Sequence, residues 1–123
     1  MSGYIYLLLT VVFTVYGQIV IKWKMNSVSL PDFFGAKVKI LFLLLLDPFI
    51  ISGFLAAFLS ALAWMAAMTK FEVSYAYPLI ICGLVLLTTS FAVIFLGESL
   101  STLKLAALFL MVLGIGLLVM DAK

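Results

Sequence analysis

Thr10, Thr14, Gln18 and Lys22 recur every four residues inside an otherwise apolar run, GYIYLLLTVVFTVYGQIVIK. On a helix turning about 100° per residue, four such positions stay within a wedge of about 120°. A lysine ammonium offers a point positive charge, and a glutamine amide offers two N–H donors beside a carbonyl acceptor. Together they suit an anionic group such as a phosphate. A span facing lipid on all sides has no use for either, so the stripe is expected to face a partner helix or a water-filled cavity.

Each residue also has a plainer role to weigh. Lys22 is either a head-group cation at a cavity mouth or a lysine snorkelling to the interface beside Lys24. Gln18 lies deeper and either meets a ligand or bonds another helix, since an amide in hydrocarbon needs a partner. Thr10 and Thr14 are able to bond their own helix carbonyls. Tyr75 and Tyr77 are interfacial belt residues, or else Tyr77 reaches a head group or Gln18. Thr88, eleven residues beyond Tyr77, shares nearly the same helical face. Glu98 follows Gly97 and reads as a turn carboxylate or a further site residue. Of the other acids, Glu72 and Asp121 lie at span ends and Asp32 and Asp47 read as caps, so no carboxylate falls in mid-span.

The elements that must carry these groups follow from composition. Of 123 residues, 67% are hydrophobic and 10% charged, with mean hydropathy +1.41. A soluble domain averages about 25% charged residues. A bilayer span needs about 20 apolar residues. The chain is therefore expected to be an all-α integral membrane protein, a single domain over residues 1–123. Continuous apolar runs, without the alternation of barrel strands, favour helices. The expected spans are about 3–24, 48–70, 75–96 and 102–120, with a short interfacial helix over about 33–46. Asp32 is the expected cap of that short helix, Asp47-Pro48 opens the second span, and Ser101 caps the fourth. Gly53, Ala57 and Ala61, widened by Ala56 and Ser60, form a small-residue contact face. Gly114 and Gly116 are candidate close-packing points in the fourth span.

The lysines are unequally shared. Lys22, Lys24, Lys37, Lys39 and Lys104 fall at one side, and Lys70, Lys123 and the terminal amine at the other. The positive-inside rule assigns the first side to the cytoplasm. The first span lacks a basic n-region and a small-x-small cleavage site, so it is expected to be retained. The lone Cys82 excludes an intrachain disulfide and reads as a core residue. With no histidine, no metal-ligand cluster and no nucleophile–base pair, neither an enzyme nor a cofactor is expected. A net charge of +2 gives no footprint for nucleic acid.

Several short motifs, in order and in the right spans, carry a resemblance. These are Tyr4-Ile5-Tyr6-Leu7, Gly17 with Lys22, Ala76-Tyr77 and Phe95-Leu96-Gly97-Glu98. The chain resembles the drug/metabolite transporter superfamily over nearly its whole length. Two branches compete. The small multidrug resistance family consists of antiparallel dimers exchanging protons for cations. Its essential first-helix glutamate falls at Thr14, and its third-helix tryptophan falls near Ile80. Both departures argue against cation export. The second branch is similar to the aminoarabinose-phosphoundecaprenol flippase subunits. Their Gly-Gln-x-x-x-Lys matches Gly17-Gln18-Ile19-Val20-Ile21-Lys22, their Ala-Tyr-Pro matches Ala76-Tyr77-Pro78, and their turn glutamate matches Glu98.

That resemblance implies a small transporter or flippase of the bacterial inner membrane, moving a polyprenyl-phosphate-linked sugar or a similar anionic lipid. It implies substrate contacts from Lys22, Gln18, Thr14, Tyr77, Tyr75 and Glu98. It also implies a homodimer, or a heterodimer with a related four-helix chain. A small-cation exporter and a non-transporting partner subunit of a larger membrane complex stand as the alternatives.

Overall fold

Helices account for most of the backbone because an apolar run in lipid must satisfy its own N–H and C=O groups. The computed structural model describes residues 2–121. The described chain folds as α1 (Ser2–Met25), α2 (Phe34–Leu44), α3 (Pro48–Ala67), α4 (Val73–Phe95) and α5 (Thr102–Asp121). Helices α1, α3, α4 and α5 are long and apolar enough to cross a bilayer, with mean hydropathy of 2.0, 2.0, 2.4 and 2.5. This is an all-α, multi-pass membrane protein. Lys123, counted in the charge asymmetry, lies outside the described residues.

Local chemistry sets most boundaries. The Asp47 carboxylate accepts the Phe49 amide at 2.8 Å, and Pro48 occupies the first helical position of α3. The Ser101 hydroxyl accepts the Lys104 amide at 3.1 Å and starts α5. Gly97 ends α4 with φ +70°, a left-handed conformation that costs glycine little. Asp32 does not cap α2. Phe33 takes that position with extended backbone and no side-chain cap bond, because the helix starts one residue later than expected. Helix α3 stops at Ala67, where tighter turns draw the Thr69 amide to Ala66 and the Lys70 amide to Ala67. Helix α4 begins at Val73, two residues before the expected start.

Helix α1 is the hub of the bundle. It runs antiparallel to α3 and parallel to α4, while α5 packs chiefly on α4. The parallel register shows in three pairs: Tyr4 with Tyr75, Val11 beside Gly83, and Gln18 with Thr88. The core lies where the three inner helices meet, around Leu7, Val11 and Val15 of α1, Ala67 of α3, and Ala76 and Ile80 of α4.

The face of α3 against α1 differs from the expected one. Gly53, Ala56, Ser60 and Ala67 are buried, while Ala57 and Ala61 are exposed. Steps of three, four and seven residues average 3.5 per turn, the spacing that keeps a seam on a neighbouring helix. A repeat of four drifts about 40° per step and leaves the seam. On α5 the expected close packing at Gly114 and Gly116 is absent: an added Cβ would meet no atom within 4 Å. No residue of α5 is buried among those described.

Candidate functional site

The polar stripe of α1 divides between two neighbours. Its lower half is absorbed by helix packing. The buried Thr10 hydroxyl donates to the Tyr6 carbonyl at 2.8 Å, within its own helix. The buried Ser60 hydroxyl of α3 donates to the Thr10 carbonyl at 2.9 Å. Ser60 also pairs with the Thr14 hydroxyl. Since the single proton of Ser60 is committed to Thr10, Thr14 is the donor of that second bond. Thr14 is thus held by α3. The sequence shows Ser60 only as a small residue, and the cue to its pairing is its place on the 3.5-residue seam.

The upper half stays open. The exposed Gln18 accepts from the Thr88 hydroxyl of α4 at 3.5 Å, the long limit of a hydrogen bond. This leaves the two amide N–H groups of Gln18 with no partner among the described residues. Lys22, one turn further, is exposed and enters no ion pair among the described residues. Its neighbour Lys24 behaves differently. The Lys24 ammonium sits 3.2 Å from the Asp47 carboxylate, and it lies over the rings of Trp23 and Phe49 at 5.2 and 4.9 Å. Lys24 therefore clamps the end of α1 to the start of α3, and Lys22 is left as the free cation of that helix.

Beside this open half runs a lateral groove between α1 and α4, with a volume of about 530 Å³. Val15, Ile19 and Val20 form one wall, and Leu87, Phe91 and Phe95 the other, with Tyr16 at its edge. Phe91 and Phe95 stack at 5.4 Å. Lys22 is not in the wall. It follows Ile19 by three residues and Val15 by seven, so it continues the same stripe one turn beyond. The apolar channel therefore points toward a charged end.

The tyrosines occupy the opposite end of the bundle. The Tyr75 hydroxyl lies 3.0 Å from that of Tyr4, and both rings pack on Phe71. Tyr77 is exposed and meets Trp64 edge-on at 6.0 Å. Eleven residues of helix, about 16 Å, separate Tyr77 from the level of Thr88 and Gln18. The Tyr77 hydroxyl thus does not reach Gln18, and the structure brings neither tyrosine to Lys22. Glu98 lies at the Lys22 end, half-buried after Gly97, with its amide turned back to the Ala92 carbonyl at 3.2 Å. It forms no ion pair with Lys22 among the described residues.

Comparison with protein-family models, with curated proteins and with solved structures finds no match for this chain.

Proposed function

We propose that this chain carries an anionic, lipid-like substrate between the leaflets of a bacterial inner membrane, with a polyprenyl-phosphate-linked sugar as the substrate class. The groove between α1 and α4 carries this reading, because it joins an apolar channel open to lipid with a free ammonium at its end. The hydrocarbon tail lies along Ile19 and Phe91. The phosphate meets Lys22, where a compact charge suits a polyanion. The unpartnered Gln18 amide donates to a phosphate or sugar oxygen. Glu98 stands at the same end, within reach of the polar part of the cargo rather than its tail.

Tyr75 and Tyr77 play no part at this head-group site; they mark the far end of the path. Thr14 acts indirectly, by fixing the rotation of α1 that presents Gln18 and Lys22. The exposed α5 supports working as a dimer, with a second copy or a related chain covering that helix. Replacing Lys22 with Met tests the reading. Translocation of the lipid-linked sugar in reconstituted vesicles should fall steeply, and unchanged transport would remove the basis for it.

A further inference from the structure

A second apolar space lies on the opposite face of α1. It measures about 500 Å³, is open on one side, and is bordered by three elements: Ile21 and Met25 of α1, Val38 and Leu41 of α2, and Ile50 and Phe54 of α3. Water occupies about 30 Å³ per molecule in the liquid and does not fill apolar cavities that offer it no partners. Hydrocarbon does fill them, and it surrounds this bundle. The slot sits at the last turn of α1 and the first turns of α3, so it opens at one membrane surface.

That surface is the basic one. Lys22, Lys24, Lys37, Lys39 and Lys104 all lie at this end. Lys24 is neutralised by Asp47. Lys37 is not in the wall of the slot; it stands one helical turn before Leu41, at the edge of the face of α2 that lines it, and is half-buried. Lys39 lies about 160° around the helix from Leu41 and is exposed. Lys37 thus places a cation without an ion-pair partner, among the described residues, at the rim of a hydrocarbon slot.

We propose that this slot seats an acyl chain of an anionic glycerophospholipid, with Lys37 against its phosphate. The lipid fills the gap beneath α2 and fastens that helix to the bundle. It belongs to the leaflet at the lysine-rich end, which the positive-inside rule assigns to the cytoplasm, where anionic lipids concentrate. The site is separate from the α1–α4 groove and does not depend on transport.

The test is a titration of the purified full chain, in neutral detergent, with dioleoylphosphatidylglycerol and with dioleoylphosphatidylcholine. The unmodified chain should bind the anionic lipid more tightly. Lys37→Gln should weaken that affinity about fivefold and leave the zwitterionic lipid unaffected. Lys39→Gln should leave the preference intact, because that exposed residue is turned away from Leu41. Leu41→Trp, which narrows the slot, should weaken binding of both lipids. Glycerol phosphate, a head group without chains, should not compete. Equal affinity for the two lipids in the unmodified chain would overturn the proposal. So would a full preference retained in Lys37→Gln, or a Leu41→Trp variant that loses self-association and not lipid. Lys37→Gln alters one rim residue only, so it decides the matter even where Leu41→Trp does not fold.

Discussion

Gly17 of α1 lies directly on the backbone of Gly53 in α3: a Cβ at Gly17 would stand 2.8 Å from the Gly53 carbonyl oxygen. The reverse is nearly as close, since a Cβ at Gly53 would meet the Ile21 side chain at 3.0 Å and the Gly17 carbonyl at 3.3 Å. Close approach of backbones is how helices attract one another in lipid, where burial of apolar surface adds little. Gly17 also immediately precedes Gln18. The crossing therefore sets the rotation and depth of the residues that follow it.

Gly17→Ala should push α1 away from α3 and destabilise the bundle by about 1–3 kcal/mol. Unfolding in mixed detergent and sodium dodecyl sulfate would measure this. Gly114→Ala serves as the control, because a Cβ there meets nothing within 4 Å in the single chain.

Ser60→Ala should cost about 0.6 kcal/mol, the average for a hydrogen bond between membrane helices. The same unfolding experiment reads it. Thr14→Val should add little in the Ser60→Ala background, because Thr14 donates to Ser60. Additive losses from the two substitutions would show that the threonine has another partner.

The Asp47 clamp gives a pH dependence. Partial desolvation raises its carboxyl, but the Phe49 amide and the Lys24 ammonium outweigh that and hold it below its ordinary value. A depressed acid contributes stability that is complete above the unfolded pKa, about 3.9, and is lost as pH falls through the folded value. Thermal unfolding followed from pH 7 downward should lose this contribution only below about pH 4. Asp47→Asn should keep the helix cap and flatten that part of the curve.

Much of this architecture was legible in the sequence, for identifiable reasons. Continuous apolar runs and the Asp47-Pro48 and Ser101 signals mark helices and their starts through local chemistry alone. Which faces meet depends on how one helix crosses another, and no single span records that. This is why the sequence pattern points to Ala57 and Ala61 on the contact face and to Ala56 and Ser60 only at its margin, the reverse of the burial found. The same holds for Tyr77. Its helical face was readable, but its height relative to Gln18 depends on the parallel register of α1 and α4. The division of the polar stripe, with the Thr10 hydroxyl kept within α1, Thr14 held by Ser60 of α3 and Gln18 turned to α4, likewise required both neighbours to be in place. The sequence singles out Lys22 by its place on the stripe, and only the fold shows that Asp47 occupies its neighbour Lys24.

The proposed transport depends most on Lys22 as a free cation at the end of an apolar groove. Its most direct measurement is translocation of a polyprenyl-phosphate-linked sugar in sealed vesicles containing either the unmodified chain or Lys22→Met. The proposed mechanism expects transport with the unmodified chain and a loss of at least about tenfold in the variant, equivalent to about 1.4 kcal/mol of phosphate binding. A Lys22→Met chain that folds, inserts and transports at the unmodified rate would contradict it.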